Sequence, residues 1–326
     1  MKNYKVALDV MGSDKGPDTV ILGAKMALDK NPDLSLLLVG REAEIVPLIE
    51  KHALDKARVE TLFAEQVITN YDSPAAALFE KTDSSMVKAL SAVAEREDVC
   101  GMVNASSTGA LIAGTLKYLP RESRVRPALA AILPAERGGF VCLVDTGATI
   151  DTTPQILHHF AKLGCEFMRD MYGIESPRVG LLSNGAEETK GNKLVKETYP
   201  LLSADADINF VGNIEGSNAL SGDCDVLVAD GFAGNLVLKV TEGTARRIIT
   251  DIVKLAKGTG HPEYMPLVGE LMKKYDIASL GGGIILGARK TVVKAHGAAD
   301  ERAIMNTIGI VLNLAKNKSV FDTDNK

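Results

Sequence analysis

Residues 104–109 read Asn-Ala-Ser-Ser-Thr-Gly, a small hydroxyl-rich stretch between two apolar runs. The run before it, 99–103, has the length of a buried strand. The run after it carries the helix formers Ala110, Leu111, Ala113 and Leu116. A helix starting there leaves its first backbone N–H groups unpartnered, and its dipole draws negative charge towards them. Ser106, Ser107 and Thr108 can each cap that helix or hold an anion's oxygen, and Gly109 allows close backbone approach. The chemistry on offer is the gripping of a phosphate-like anion. The plain alternative is a capped helix with no ligand.

The same pattern recurs along the chain. Asp9 is followed closely by Gly12, Asp145 by Gly147, Ser183 by Gly185, Asp230 by Gly231, and His296 by Gly297. In a parallel sheet these strand ends share one edge, where open α/β folds bind ligands. Lys190, Lys239 and Lys294 supply cations there, and His296 a titratable ring. That set suits positioning an anion and stabilising an oxyanion. Other sites are excluded. Gly185 to Gly191 is one residue too long for a nucleotide P-loop and ends in Asn192. In 281–287, Leu286 stands where a dinucleotide fingerprint needs its third glycine. There is no G-x-S-x-G elbow and no H-E-x-x-H pair. His158 and His159 are adjacent in a helical pattern and cannot share a helix face.

Strands are expected over 6–8, 34–39, 59–63, 99–103, 128–133, 140–144, 178–182, 208–211, 226–229 and 292–295. Helices are expected over 19–28 and 42–53, in one long region from Pro74 to about Arg96, and over 154–172, 194–202, the stretch ending near Lys257, and 301–315. Pro134 and Gly138-Gly139 predict a hairpin between the fifth and sixth strands. The alternation predicts an α/β protein: a mostly parallel sheet with helices on both faces. The proline-bounded basic connector at 120–127 marks a boundary. It leaves a main α/β domain of 1–120 plus 288–326 and a second subdomain of 121–287.

At 326 residues the chain exceeds one typical domain. Its 42 acidic against 37 basic residues, and its lack of Trp, argue against nucleic-acid binding. Cys100, Cys142, Cys165 and Cys224 have no metal-type spacing, and a reducing cytoplasm is expected. The first apolar run is too short for a signal peptide, and no run approaches membrane-spanning length. Two amphipathic segments stand out. Ile248, Ile249, Ile252, Val253 and Ala256 fall on one helical face, and Tyr264, Leu267, Val268, Leu271, Met272 and Tyr275 on another. Ringed by Arg246, Arg247, Lys254, Lys257, Lys273 and Lys274, they predict a helical hairpin over 244–275. It is expected to serve as a subunit contact or a peripheral membrane foot. Arg121, Arg124 and Arg126 offer positive charge to an acidic partner.

Read in order, several motifs resemble one family. They are Asp9-x-Met11-Gly12-x-Asp14-x-Gly16-Pro17, Ser107-Thr108-Gly109-Ala110-Leu111, Arg126-Pro127-Ala128-Leu129, Asp145-x-Gly147-Ala148, Lys190-Gly191-Asn192 and Lys294-x-His296-Gly297. The most specific is Asp230-Gly231-Phe232-x-Gly234-Asn235-x-x-Leu238-Lys239-x-x-Glu242-Gly243. Together they resemble the phosphate:acyl-carrier-protein acyltransferases (the PlsX family) of bacterial phospholipid synthesis. Ser13, the Ser106-Ser107 pair (where Gly-Asn is more usual), Thr149 and the 184–187 segment depart from the family pattern.

The resemblance implies a fold like the isocitrate/isopropylmalate dehydrogenases and phosphotransacetylases, and a homodimer. It implies the reaction of an acylated acyl carrier protein with orthophosphate, giving acyl phosphate and free carrier. A membrane glycerol-phosphate acyltransferase would take the product. No cofactor and no metal are expected. The implied catalytic residues are Lys190, Asn235 and His296. The implied phosphate and substrate contacts are Asp9, Gly12, Ser106, Ser107, Thr108, Gly109, Asp145, Asp230 and Gly231. Two rivals stand beside this reading. A NAD-dependent decarboxylating dehydrogenase of the same fold needs a metal carboxylate cluster, for which Asp225 and Asp230 are thin support. A non-catalytic acyl-carrier-binding protein needs no chemistry at all.

Overall fold

The computed structural model describes residues 3–120, 126–258, 261–275 and 282–324. Among them, in chain order, are β1 (Tyr4–Asp9), α1 (Gly16–Lys30), β2 (Leu34–Gly40), α2 (Glu42–Lys51), β3 (Val59–Phe63), α3 (Pro74–Glu80), α4 (Ser85–Glu95), β4 (Val99–Asn104), α5 (Thr108–Tyr118), β5 (Ala128–Pro134) and β6 (Phe140–Val144). There follow α6 (Pro154–Tyr172), β7 (Arg178–Ser183), α7 (Lys193–Ala204), β8 (Asn209–Glu215), β9 (Val226–Val228), α8 (Gly231–Gly258), α9 (Met265–Tyr275), β10 (Gly283–Leu286), β11 (Thr291–Lys294) and α10 (Glu301–Asp324). The basic residues Arg121 and Arg124, and Gly281, lie outside the described residues; Arg126 is exposed.

The chain divides into two compact units. The first comprises Met1–Leu129, Asp170–Gly173 and Ala278–Lys326. Its strands run in the order β3-β2-β1-β4-β11, all parallel, with β10 antiparallel to β11. β1 and β2 are apolar almost throughout and fully buried over 6–9 and 34–40, as strands covered on both faces must be. α1 packs on α10, where Gly23 sits against Ile304. α4 covers β1 and β4, and α3 and α5 pack beside each other.

The second unit comprises Ala130–Arg169 and Ile174–Ile277. Here β5 and β6 form the expected antiparallel hairpin, and β6, β9, β7 and β8 follow in parallel. α6 approaches the sheet closely at Gly164, which faces Val226 and Val144. A core of Leu133, Val141, Leu143 and Leu227 receives Val237 and Leu238 from the start of α8.

Two sequence expectations are corrected. The helical region from Pro74 to Arg96 is two helices: Ser84 caps α4 by accepting from the Val87 N–H, so a new helix begins there. β10 was not expected as a strand; its four residues Gly-Ile-Ile-Leu are short and preceded by glycines. The expected hairpin over 244–275 forms as α8 and α9. Ala256 and Val268 are its buried apolar residues, while Ile248, Leu255, Leu267 and Met272 are exposed. Among the described residues, no helix is long and apolar enough to cross a membrane.

Candidate active site

In the first unit, β1, β4 and β11 end side by side: Leu8 pairs with Val103, and Asn104 with Lys294. The next residue on β1, Asp9, turns inward and is 1% exposed. Its Oδ1 accepts from the Met11 N–H at 3.0 Å and its Oδ2 from Asn104 Nδ2 at 2.6 Å. The Ser85 hydroxyl also donates to it. Burial disfavours the charged form more strongly than these donors favour it, and its pKa is pushed up to about 7. Asp9 was expected among the phosphate contacts. Its oxygens accept from Met11, from Asn104 at the end of β4 and from Ser85 at the start of α4, so it also ties these segments together.

Asn104 carries that order forward. Its Oδ1 accepts both the Ser106 N–H at 2.8 Å and Ser106 Oγ at 3.1 Å. Ser107 is the helix cap, accepting from the Ala110 N–H at 3.5 Å. Thr108 and Gly109 form the outward rim of the first turn of α5. Gly12, at φ +82°, backs onto this loop; a β-carbon there would lie 2.4 Å from Ser106 Cβ.

His296 follows β11 and is exposed. Its Nδ1 accepts from the Ala298 N–H at 3.2 Å, so the neutral ring carries its proton on Nε2. The Asp14 N–H donates to the Gly297 carbonyl at 2.9 Å, tying the loop after β1 to the loop after β11. Lys294 is buried, its Nζ donating to the Ala295 carbonyl. One edge of this unit therefore gathers Asp9, Gly12, Ser106, Ser107, Thr108, Gly109 and His296.

In the second unit, β6, β9 and β7 end together, Val144 and Leu181 both pairing with Val228. Asp145 is fully buried. It accepts from the N–H groups of Gly147 at 3.2 Å, Ala148 at 3.0 Å and Thr149 at 2.6 Å. Asp145, also expected among the phosphate contacts, holds its own turn through these bonds. The Gly231 N–H donates to the Thr149 carbonyl at 2.9 Å, and a β-carbon on Gly231 would lie 2.8 Å from Asp145 Oδ2. Only glycine lets α8 start this close. Asp230 caps α8, accepting from Phe232 at 3.0 Å and Ala233 at 2.8 Å. Asn235 is exposed one turn on, and Lys239 pairs with Glu242 at 2.8 Å.

Lys190 sits exposed in the loop after β7, its stem lying against Gly185. That loop is held by the Gly191 N–H donating to Asn184 Oδ1 at 2.8 Å, and by Asn192 capping α7 at Val195. The edge of this unit thus gathers Asp145, Lys190, Asp230, Gly231 and Asn235. Asp225, named for the dehydrogenase rival, is clasped by Arg178 at 2.8 and 3.0 Å. Among the described residues, no group of three His, Cys, Asp or Glu is placed to hold a metal. Sequence reasoning missed Ser85 and the bridging role of Asn104; the Ser84-Ser85 pair within a helical region was the available signal.

Residues 4–320 match the family described as "Fatty acid synthesis protein". A phosphate acyltransferase of Clostridium perfringens is 40% identical over 311 residues, covering 93% of this chain and 91% of that relative. Among solved structures, a phosphotransacetylase from Streptococcus pyogenes aligns with TM-score 0.65 at 15% identity, covering 97% of this chain and 94% of its own. A branched-chain phosphotransacylase from Enterococcus faecalis aligns with TM-score 0.62 at 14% identity, covering 95% and 99%. The structural likenesses establish a shared α/β fold, and the sequence match establishes kinship: the chain is an acyltransferase enzyme and belongs to the phosphate acyltransferase family of fatty acid synthesis proteins.

Proposed function

We propose that the enzyme transfers the acyl group of an acyl carrier protein thioester to orthophosphate, releasing acyl phosphate and free carrier for phospholipid synthesis. The observation that carries this reading is the start of α5, where Ser107 caps the helix and Thr108 and Gly109 leave its first turn accessible to solvent. Phosphate is nucleophilic enough at neutral pH to need no Ser or Cys intermediate. Holding it against the thioester carbon is mainly a proximity effect. A phosphate oxygen attacks that carbon, the C–S bond breaks, and the electron pair leaves on sulfur. The proton that hydrogenphosphate brings is balanced by the one the departing thiolate gains.

Lys190 and Asn235 are assigned to the oxyanion, because both are exposed donors, Lys190 on the loop after β7 and Asn235 in the first turns of α8. His296 is assigned to protonation of sulfur through Nε2–H. Gly12, Asp230 and Gly231 keep the loops in place. Pairing with a second copy and contact with a membrane surface are assigned to α8 and α9, whose apolar residues Ile248, Leu255 and Leu267 are exposed. The protein works with an acidic carrier, needs no nucleic acid, and passes its product to a membrane glycerol-phosphate acyltransferase.

Incubation with an acyl carrier thioester and phosphate, with hydroxylamine trapping, tests the reaction. Phosphate-dependent acyl hydroxamate is the expected product; its absence ends the proposal. Lys190→Ala should lower kcat by ~100-fold, the usual scale for one oxyanion donor. Full turnover in that variant removes Lys190 from the mechanism.

A further inference from the structure

We propose that Ser106 determines anion specificity: Asn104 fixes its hydroxyl as an acceptor, so the loop selects hydrogenphosphate, which brings a P–O–H donor, over sulfate, which brings none. This rests on the reading that the start of α5 holds the phosphate. The orientation of Asn104 is forced. The Ser106 backbone N–H, 2.8 Å away, can only donate, so the atom facing it is Oδ1. Nδ2 then points at Asp9 Oδ2, 2.6 Å away, which accepts it. Reversing the amide would set donor against donor at the Ser106 N–H.

Ser106 Oγ lies 3.1 Å from the same Oδ1, so its proton is committed there and only lone pairs remain for a ligand. The side chain has little room to turn elsewhere. It is 4% exposed, and Gly12 backs directly onto its Cβ.

Ser107 has the opposite polarity. Its oxygen accepts from the Ala110 N–H, which leaves its proton to donate outward. The pair therefore presents one acceptor and one donor. Hydrogenphosphate matches both, with a P–O–H towards Ser106 and an unprotonated oxygen towards Ser107. Sulfate has the same charge and shape at neutral pH but no proton, and would set an oxygen against the Ser106 lone pairs. Holding the protonated oxygen at Ser106 also leaves an unprotonated one free to attack.

The test compares the phosphate KM with the sulfate inhibition constant, using the full-length enzyme and an acyl carrier thioester. The wild-type enzyme should hold sulfate at least ~10-fold more weakly than phosphate, the scale of one hydrogen bond to a charged partner. Ser106→Ala should raise the phosphate KM by a similar ~10-fold and leave the sulfate constant unchanged or lower, so that the preference collapses. Ser106→Gly, the residue more usual in the family, should behave likewise and guards against a packing defect in the alanine variant. A preference that survives both substitutions, whether neither constant moves or both move together, overturns the proposal. Ser107→Ala separates the underlying reading. If it changes neither constant, the start of α5 holds no anion, and the phosphate assignment falls with this one. If it weakens both while the Ser106 variants keep the preference, only the specificity proposal fails.

Discussion

Replacing Asp9 by Asn should remove a specific pH dependence of stability. Asp9 is 1% exposed and, among the donors to it, none is charged: the Asn104 amide, the Met11 N–H and the Ser85 hydroxyl. Burial therefore dominates and lifts its pKa from the ordinary 3.8 to about 7. Because the folded value lies above the unfolded one, the folded chain binds the proton more tightly. Its contribution to stability is fully present below the unfolded value, and is lost as pH rises through the folded one. The gap corresponds to ~4 kcal/mol over the whole window, of which ~2 kcal/mol falls between about pH 5 and 7. Glu60, held at about 2 by Arg96 and Lys5, acts in the opposite sense, but its contribution changes only below about pH 5, outside this range. The difference between wild type and Asp9→Asn isolates the Asp9 contribution. Urea unfolding across that range should show the wild-type advantage shrinking by ~2 kcal/mol as pH rises, beside a constant offset from the altered hydrogen bonds. A carbon-13 titration of the Asp9 carboxyl should give a midpoint near neutrality. A stability difference that stays flat with pH would refute the reasoning, because burial would then not govern this group.

Gly12→Ala should lower stability by ~2 kcal/mol or more and raise the phosphate KM, because it combines a positive φ with collision against Ser106 Cβ. Gly138→Ala, also at positive φ but facing open space, is the control and should cost only ~1 kcal/mol in a thermal melt with KM unchanged. Leu267, 58% exposed on α9, tests the hairpin: Leu267→Glu should abolish flotation with anionic liposomes without unfolding the protein. A folded variant that floats as well as wild type would take membrane contact away from this surface.

Much of the arrangement was legible because its signals are local. A run such as Leu34–Gly40 is apolar almost throughout, as a strand covered on both faces requires, and most strand–loop–helix junctions carry Gly and polar residues. What could not be read depends on partners distant in sequence. β10 has four residues and becomes a strand only because β11 lies beside it. The break before α4 is fixed by the Ser84 cap and by Gln66 and Lys81, which hold the backbone of 84–85. The site shows the limit most clearly. As sequence, Ser106, Ser107 and Thr108 are three interchangeable hydroxyls, and Asp9 and Asp145 are two strand-ending carboxylates ready for a ligand. The fold makes them unequal by deciding what each is already bonded to. Asp145 is consumed by the three N–H groups that follow it, Asp9 by donors from three elements, and Ser107 by its helix. The hydrogen-bonding valence left over, rather than the residue type, decides what a ligand meets. In this loop that remainder is a lone pair at Ser106 and a proton at Ser107, so at the proposed phosphate site selectivity is to be sought in proton inventory before charge.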